Sequence, residues 1–307
     1  KEVGKNLPVM HDPVEQFYKL SPEQSVFYDR VISEYFGENS AFTGAIYQPG
    51  SYMPTPPEDE DADDSDNVAV QANTQQLNMY KFIRRLLVHR FESSFGAFAK
   101  TLDNLIRVHK NVKRLAVPAP LGKGIIVLDR SLMEKLLELE NASEDEVDEI
   151  LCNMEELYNP DGDHSRRRNL QVYRVTEDFD DVGRERFNGD LQADINLLEK
   201  VKKEVETLNL VADDPKAREL INEIRSVLDS RHPALVRREN EPQRKVIVFS
   251  EFADTVDHLK SYLDAAFPHQ VLTIRSLSKE LAATVRKNFD GSCHPAFQQD
   301  QFKILLA

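Results

Sequence analysis

The 307-residue chain contains no tryptophan and two cysteines, Cys152 and Cys293, which lie 141 positions apart. That separation forms no metal-ligand spacing, and so low a cysteine count points to a reducing compartment rather than a disulfide-built fold. His164, Cys293 and His294 have no second pair at ligand spacing, so a zinc site is not indicated. Long hydrophobic runs are also missing. The longest apolar stretches, such as "KGIIVL" and "VIVF", fall far short of the roughly 20 residues a membrane span needs. The first ten residues, "KEVGKNLPVM", lack the apolar core of a signal peptide. The chain opens on Lys rather than Met, which leads us to expect a piece of something longer. What is present is 40% hydrophobic and 30% charged, a balance that suits a helix-rich soluble protein of about two domains.

The net charge of −14 excludes a uniformly basic nucleic-acid coat, but the charge is unevenly placed. Residues 81–114 hold nine Lys/Arg against two acids, and residues 129–161 hold twelve acids against two bases. A basic block inside an acidic chain is a local electrostatic feature. Arg84, Arg85, His89 and Arg90 fall on one helical segment. Arg107, Lys110, Lys113 and Arg114 close the next. Together they can straddle a duplex backbone, or they can pack against the acidic 129–161 stretch. Both readings stand at this point.

Local signals give the elements. "SPEQ" (21–24) is a capping box, with Pro22 at the first helical position and Phe27, Val31 and Tyr35 on one face. Residues 48–76, with "QPGSYMPTPP" and seven acids in "EDEDADDSD", read as a solvated, disordered acidic insertion. Helices resume at Leu77, through the stripe Leu77, Tyr80, Ile83, Leu87 and Phe91, bend at "SSFG" (93–96), and continue through Phe98, Leu102 and Leu105. "VPAPLGKG" (117–124) ends that block. Residues 132–157 are amphipathic and acidic, whereas 159–189 read as irregular, with Arg166, Arg167 and Arg168 as a solvated or phosphate-facing triplet. Helical period returns at Leu191, Ile195, Leu198, Val201 and Val205. Asp214 and Pro215 then start another helix.

The last stretch changes class. "VIVF" (246–249) is a continuous apolar, β-branched run, as expected of a parallel strand buried on both faces. A helix, the strand "QVLTI", a second helix and the strand "FKILL" follow. Such β-α-β-α-β connections are right-handed and give a parallel sheet. The fold expected is therefore mostly α with a C-terminal α/β portion.

"KVIVFSEFADTVDHL" (245–259) resembles motif IV of Swi/Snf-type superfamily-two helicases and translocases. Other stretches are similar in the same order: "KEVGKNLP" and "FYKLSPEQSVFYDRV" to the exit from a first RecA-like lobe, "RRLLVHRFESSFGAFAKTL" to the helical segment of the bacterial RapA-like group, "DDPKARELINEI" to the linker helix before the second lobe, and "RSLSKELAATVRKNF" to the segment after motif IV. The resemblance implies four parts: residues 1–47 as the end of the first motor lobe and the first insertion helix, 48–76 as the acidic insertion, 77–240 as a helical insertion domain, and 241–307 as a truncated parallel RecA-like lobe.

The departures are as informative. There is no G-x-x-x-x-G-K-[ST] and no Asp-Glu-x-His box; "PLGKG" lacks the first glycine and the Ser/Thr, and "EDEVDEI" reads as a solvated helix face. The arginine motif that reaches ATP is absent as well. Phosphoryl transfer needs those parts. The resemblance thus implies a central piece of an ATP-dependent DNA helicase or translocase that contacts DNA and couples lobes, with ATP and magnesium belonging to the parent protein and none bound here. It implies duplex DNA and the remaining motor lobes as partners, no membrane, and a cytoplasmic, nucleoid-associated location. By that resemblance Ser250, Glu251 and Phe252 lie along the nucleic-acid track, Arg275 sits at the same sheet edge, and Arg286 is a structural or lobe-contact residue. The alternative is an autonomous helical interaction module whose acidic helices bind a basic partner.

Overall fold

The computed structural model describes residues 12–38, 40–54, 64–117, 123–129, 170–229, 244–250, 253–275, 278–290 and 295–307. Within these residues the protein is mostly helical, with a two-stranded antiparallel ladder and a three-stranded parallel sheet.

Helix α1 (Pro22–Arg30) starts where its capping box predicts: the Ser21 hydroxyl accepts from Gln24 N at 3.2 Å, and Gln24 Oε1 accepts from Ser21 N at 2.9 Å. A π-helical turn (Val31–Tyr35) continues it, and Phe27, Val31 and Tyr35 are buried on the expected face. Helix α2 (Asp64–Ser93) and helix α3 (Phe95–Ala116) are separated by one residue, Ser94, whose extended backbone breaks the helix while its hydroxyl caps α3 through Ala97 N. The chain therefore folds back at "SSFG", and Phe91 packs on both Phe95 and Phe98, with ring centroids 5.4 and 5.0 Å apart. The buried stripe of α2 runs through Met79, Ile83, Leu87 and Phe91; Leu77 lies outside it.

Two stretches depart from expectation. The segment 48–76 is not irregular throughout. Pro49–Tyr52 forms a 3₁₀ turn with Tyr52 buried, and α2 begins at Asp64. Buried Gln76 explains the tie: its Oε1 accepts from Gly50 N at 2.9 Å, so the turn is fastened to the helix. The stretch 159–189 is likewise not wholly irregular. Strand β2 (Leu170–Arg174) pairs antiparallel with β1 (Ile125–Asp129), Ile125 opposite Arg174 and Asp129 opposite Leu170. Helix α4 (Asp181–Thr207) starts ten residues before the Leu191 of the periodic run, because Asp180 caps it through Gly183 N at 2.6 Å. The amphipathic 132–157 stretch and the Arg166–Arg168 triplet lie outside the described residues.

Helix α4 packs lengthwise against α3 and completes an aromatic-rich core with Phe27, Phe36, Phe42, Phe98 and Phe187. Helix α5 (Pro215–Leu228) leads to the sheet: β3 (Val246–Val248), α6 (Ala253–Ala266), β4 (Val271–Thr273), α7 (Lys279–Phe289) and β5 (Ile304–Leu306). The strand order is β3–β5–β4, all parallel, with Ile247, Leu305 and Leu272 in one register row. Ile224 of α5, with Val256, Leu263 and Phe267, covers one face over Ile304 and Leu306. The other face is thinly covered at β3, where Ile247 is 49% and Phe249 78% exposed. "VIVF" is thus not buried on both faces. Its alternation of half-buried and exposed residues belongs to an edge strand.

Candidate nucleic-acid interface

In a parallel sheet every strand points the same way, so the segments leaving the strands collect at one carboxyl edge. Here Ala307, just past the central strand, donates from its N to Val248 O at 3.0 Å, and its O accepts from Ser250 N at 2.9 Å. Ile274 N donates to Leu306 O at 2.8 Å on the other side. Ser250 and Arg275 therefore flank Ala307 on that edge, about 10 Å apart at two strand spacings. The Arg275 side chain is 58% exposed and ion-paired with Asp257 of α6. A phosphate reaching Arg275 competes with that carboxylate. Glu251 and Phe252 lie outside the described residues. Arg286, on α7, is exposed.

The basic residues of α2 and α3 do not form one continuous face. Arg84 donates to Glu38 O at 2.8 Å and lies over the Tyr80 ring, 5.2 Å from its centroid. Arg85 is exposed. Arg90 is fully buried, 0% exposed, and cannot meet a duplex. Six positions past Arg84 is about 600° of helix rotation, which turns Arg90 away from Arg84 and into line with buried Met79 and Ile83. On α3, Lys110 pairs with Glu199 of α4 at 2.6 Å, and Lys113 donates to Gln192 of the same helix. Lys202 of α4 returns the pairing to Asp103. Arg114 is exposed at the end of α3. Among the described residues, Lys110 is thus matched by an acid of α4 and Lys113 by an amide of the same helix, while residues 130–161 lie outside the described residues.

The sheet edge meets the helical part at the α2–α3 elbow. Ser93 Oγ and Thr255 Oγ1, near the start of α6, are 3.3 Å apart. One turn along, a Cβ on Gly96 would lie 2.4 Å from His258 Nδ1, so only glycine lets α3 approach this ring. His258 Nε2 donates to Asp214 Oδ2 at 2.9 Å, with both side chains nearly buried. Asp214 Oδ1 caps α5, accepting from Lys216 N at 2.8 Å and Ala217 N at 3.3 Å. Lys216 reaches the opposite way and donates to the carbonyls of Glu92 and Ser93 at the end of α2. Its ammonium lies about equally far from the Tyr18 and Phe95 rings, 5.2 and 5.1 Å. Burial pulls its pKa down to about 8 against the raising effect of Asp214 and Glu92. Sequence reasoning found Asp214 as a helix cap and missed its partners. The one available signal was the Asp-Pro-Lys order, which places a carboxylate and an ammonium on the same first turn.

Comparison with protein-family models, with curated proteins and with solved structures gives no match.

Proposed function

We infer that the chain is the central part of an ATP-dependent DNA translocase or helicase of Swi/Snf type, and that it contacts duplex DNA and couples motor lobes. The observation that carries this reading is the parallel β-α-β-α-β unit whose carboxyl edge bears Ser250 and Arg275 and abuts the α2–α3 elbow. That is the edge where such sheets bind ligands, and it supports a partial RecA-like lobe. The backbone after β3 and the Arg275 guanidinium would take phosphates, with Arg84, Arg85 and Arg114 extending the contact along the helices. Lys110 and Lys113 would join only by leaving Glu199 and Gln192. ATP and magnesium would bind with the remaining motor lobes, and the protein would work at the nucleoid.

Fluorescence anisotropy with a labelled duplex tests this. Binding is expected to weaken as salt rises, with a log–log slope of about −0.9 for each phosphate neutralised. Charge reversal at Arg85, Arg114 and Arg275 should weaken binding and flatten that slope. Binding that ignores both salt and these reversals overturns the reading.

A second reading, a helical module that captures a basic partner, draws on the surplus of acid in the chain. It predicts that a polylysine peptide competes for the protein while duplex DNA does not.

A further inference from the structure

The passage from the helical part to the sheet runs through α5, and its first turn holds both neighbours. Asp214 faces α6. One carboxylate oxygen caps α5 itself and the other takes the His258 imidazole, while Asp214 N donates to the Tyr262 hydroxyl at 3.1 Å. That hydroxyl donates in turn to Val211 O, so the loop before α5 is bound to the same helix. His258 and Tyr262 stack edge-on with ring centroids 5.2 Å apart. Lys216 faces the other way. Its ammonium satisfies the last carbonyls of α2, which have no partner within their own helix. The carboxylate side chain is 2% exposed and the imidazole 9%, so water does not compete for this bond. A short turn thus grips two elements whose own direct contacts include Ser93 with Thr255 and Gly96 with His258.

We propose that Asp214 and Lys216 are positioning residues: a two-armed joint at the start of α5 that fixes the α2–α3 elbow against α6 and passes movement of the sheet into the helical part. Asp214 holds the sheet through His258, and Lys216 holds the elbow through Glu92 and Ser93. Both arms leave one helical turn, and burial against the Tyr18 and Phe95 rings confines the Lys216 stem, so a displacement of α6 arrives at the elbow as a displacement of α2 and α3. The proposal rests on contacts alone and needs no DNA.

Distance measurement between spin labels reads the joint directly. With Cys152 and Cys293 changed to Ser, labels at Glu185→Cys on α4 and Lys279→Cys on α7 report helical part against sheet. Labels at Lys100→Cys and Glu185→Cys report the helical part alone. The unsubstituted joint is expected to give one narrow distance distribution for each pair. His258→Leu combined with Tyr262→Phe, which cuts both hydrogen-bonded ties of the joint to α6, and Lys216→Met, which cuts the α2 arm, should each at least double the width between α4 and α7 and leave the control pair narrow. His258→Gln keeps a donor toward Asp214 and should restore the narrow distribution, which loss of stability alone would not do. Asp214→Ala removes the cap as well as the arm; the two arm variants leave the cap intact and carry the test if it fails to fold. A native-width distribution between α4 and α7 in both arm variants, with the control narrow, overturns the proposal. No readout here involves DNA, so failure of the joint and failure of the DNA reading are separable.

Discussion

Thr43 and Asp194 stand 151 positions apart and share two hydrogen bonds: Thr43 N donates to Asp194 Oδ1 at 2.7 Å and Thr43 Oγ1 donates to Oδ2 at 2.9 Å. Ala45 N adds a third at 3.0 Å. One fully buried carboxylate on α4 therefore organises the loop between α1 and α2, including Gly44, whose φ of 61° requires a residue without a side chain.

Replacing Asp194 by Ala should be among the most damaging single changes in the helical part. It strands one buried backbone donor, at Ala45, and a half-buried backbone donor and hydroxyl at Thr43, and a buried donor left unmet costs about 1–3 kcal/mol. A loss of at least about 3 kcal/mol at pH 7 is expected in urea unfolding, together with release of the loop in hydrogen exchange at residues 43–47.

His109 carries the second prediction. Its ring lies 6.0 Å from Phe42 and 5.9 Å from Tyr47, fully buried, with Nδ1 donating to Leu105 O at 2.7 Å. Burial pulls its pKa from 6.5 to about 4. The unfolded chain then binds a proton that the folded chain refuses, so this group's contribution is complete above pH 6.5 and lost as pH falls toward 4. Asp194 runs the other way. Burial raises it from 3.8 to about 6, against the lowering effect of its donors, so its contribution is complete below pH 3.8 and lost as pH rises through 6. Each amounts to about 3 kcal/mol across its window, and the two oppose each other. His109→Leu removes one of them. Relative to the native protein, the variant should gain about 3 kcal/mol of stability between pH 6.5 and 4, measured as the difference in urea midpoints; a constant difference across that range would contradict the assignment.

Much of this was legible locally, and the exceptions share a cause. Ser21 and Asp214 announced their helices because a cap is decided within four residues. The parallel strands announced themselves by their β-branched run. Strand β2 did not, because "LQVYR" is too short and polar to signal alone and exists through its partner "IIVLD", some forty residues upstream. Arg90 read as one of a basic cluster because charge is counted along the chain whereas burial is decided around the helix. The lysines of α3 looked available because nothing near them in sequence names Glu199 or Gln192 as partners. The Asp214–His258 bond is of the same kind: Asp214 was visible as a cap, and only folding brings His258 to it.

Lys216 supplies an alkaline counterpart. Its pKa is lowered from 10.5 to about 8 by burial, so between those values the unfolded chain holds a proton the folded chain has released. Stability should therefore rise as pH climbs from 8 to 10.5, by about 3 kcal/mol from this group. Lys216→Met abolishes that rise. Chemical denaturation at pH 7.5, 9 and 10 should show the native slope and a flatter one in the variant.

Gly96 tests the packing at the elbow by its sign. It lies in the first turn of α3, and alanine in a helix is ordinarily better than glycine by about 1 kcal/mol. Here a Cβ would sit 2.4 Å from His258 Nδ1 and 3.0 Å from its Cβ, and the ring is pinned by Asp214 and Tyr262. The ring cannot yield without breaking the 2.9 Å bond, so overpacking should outweigh helix propensity and Gly96→Ala should cost about 1–3 kcal/mol. In a His258→Gly background both the ring and its Cβ are gone, and the same change should stabilise by up to about 1 kcal/mol. A double-mutant cycle by urea unfolding reads the reversal. Equal effects of Gly96→Ala in both backgrounds would mean that α3 and α6 do not meet at this point.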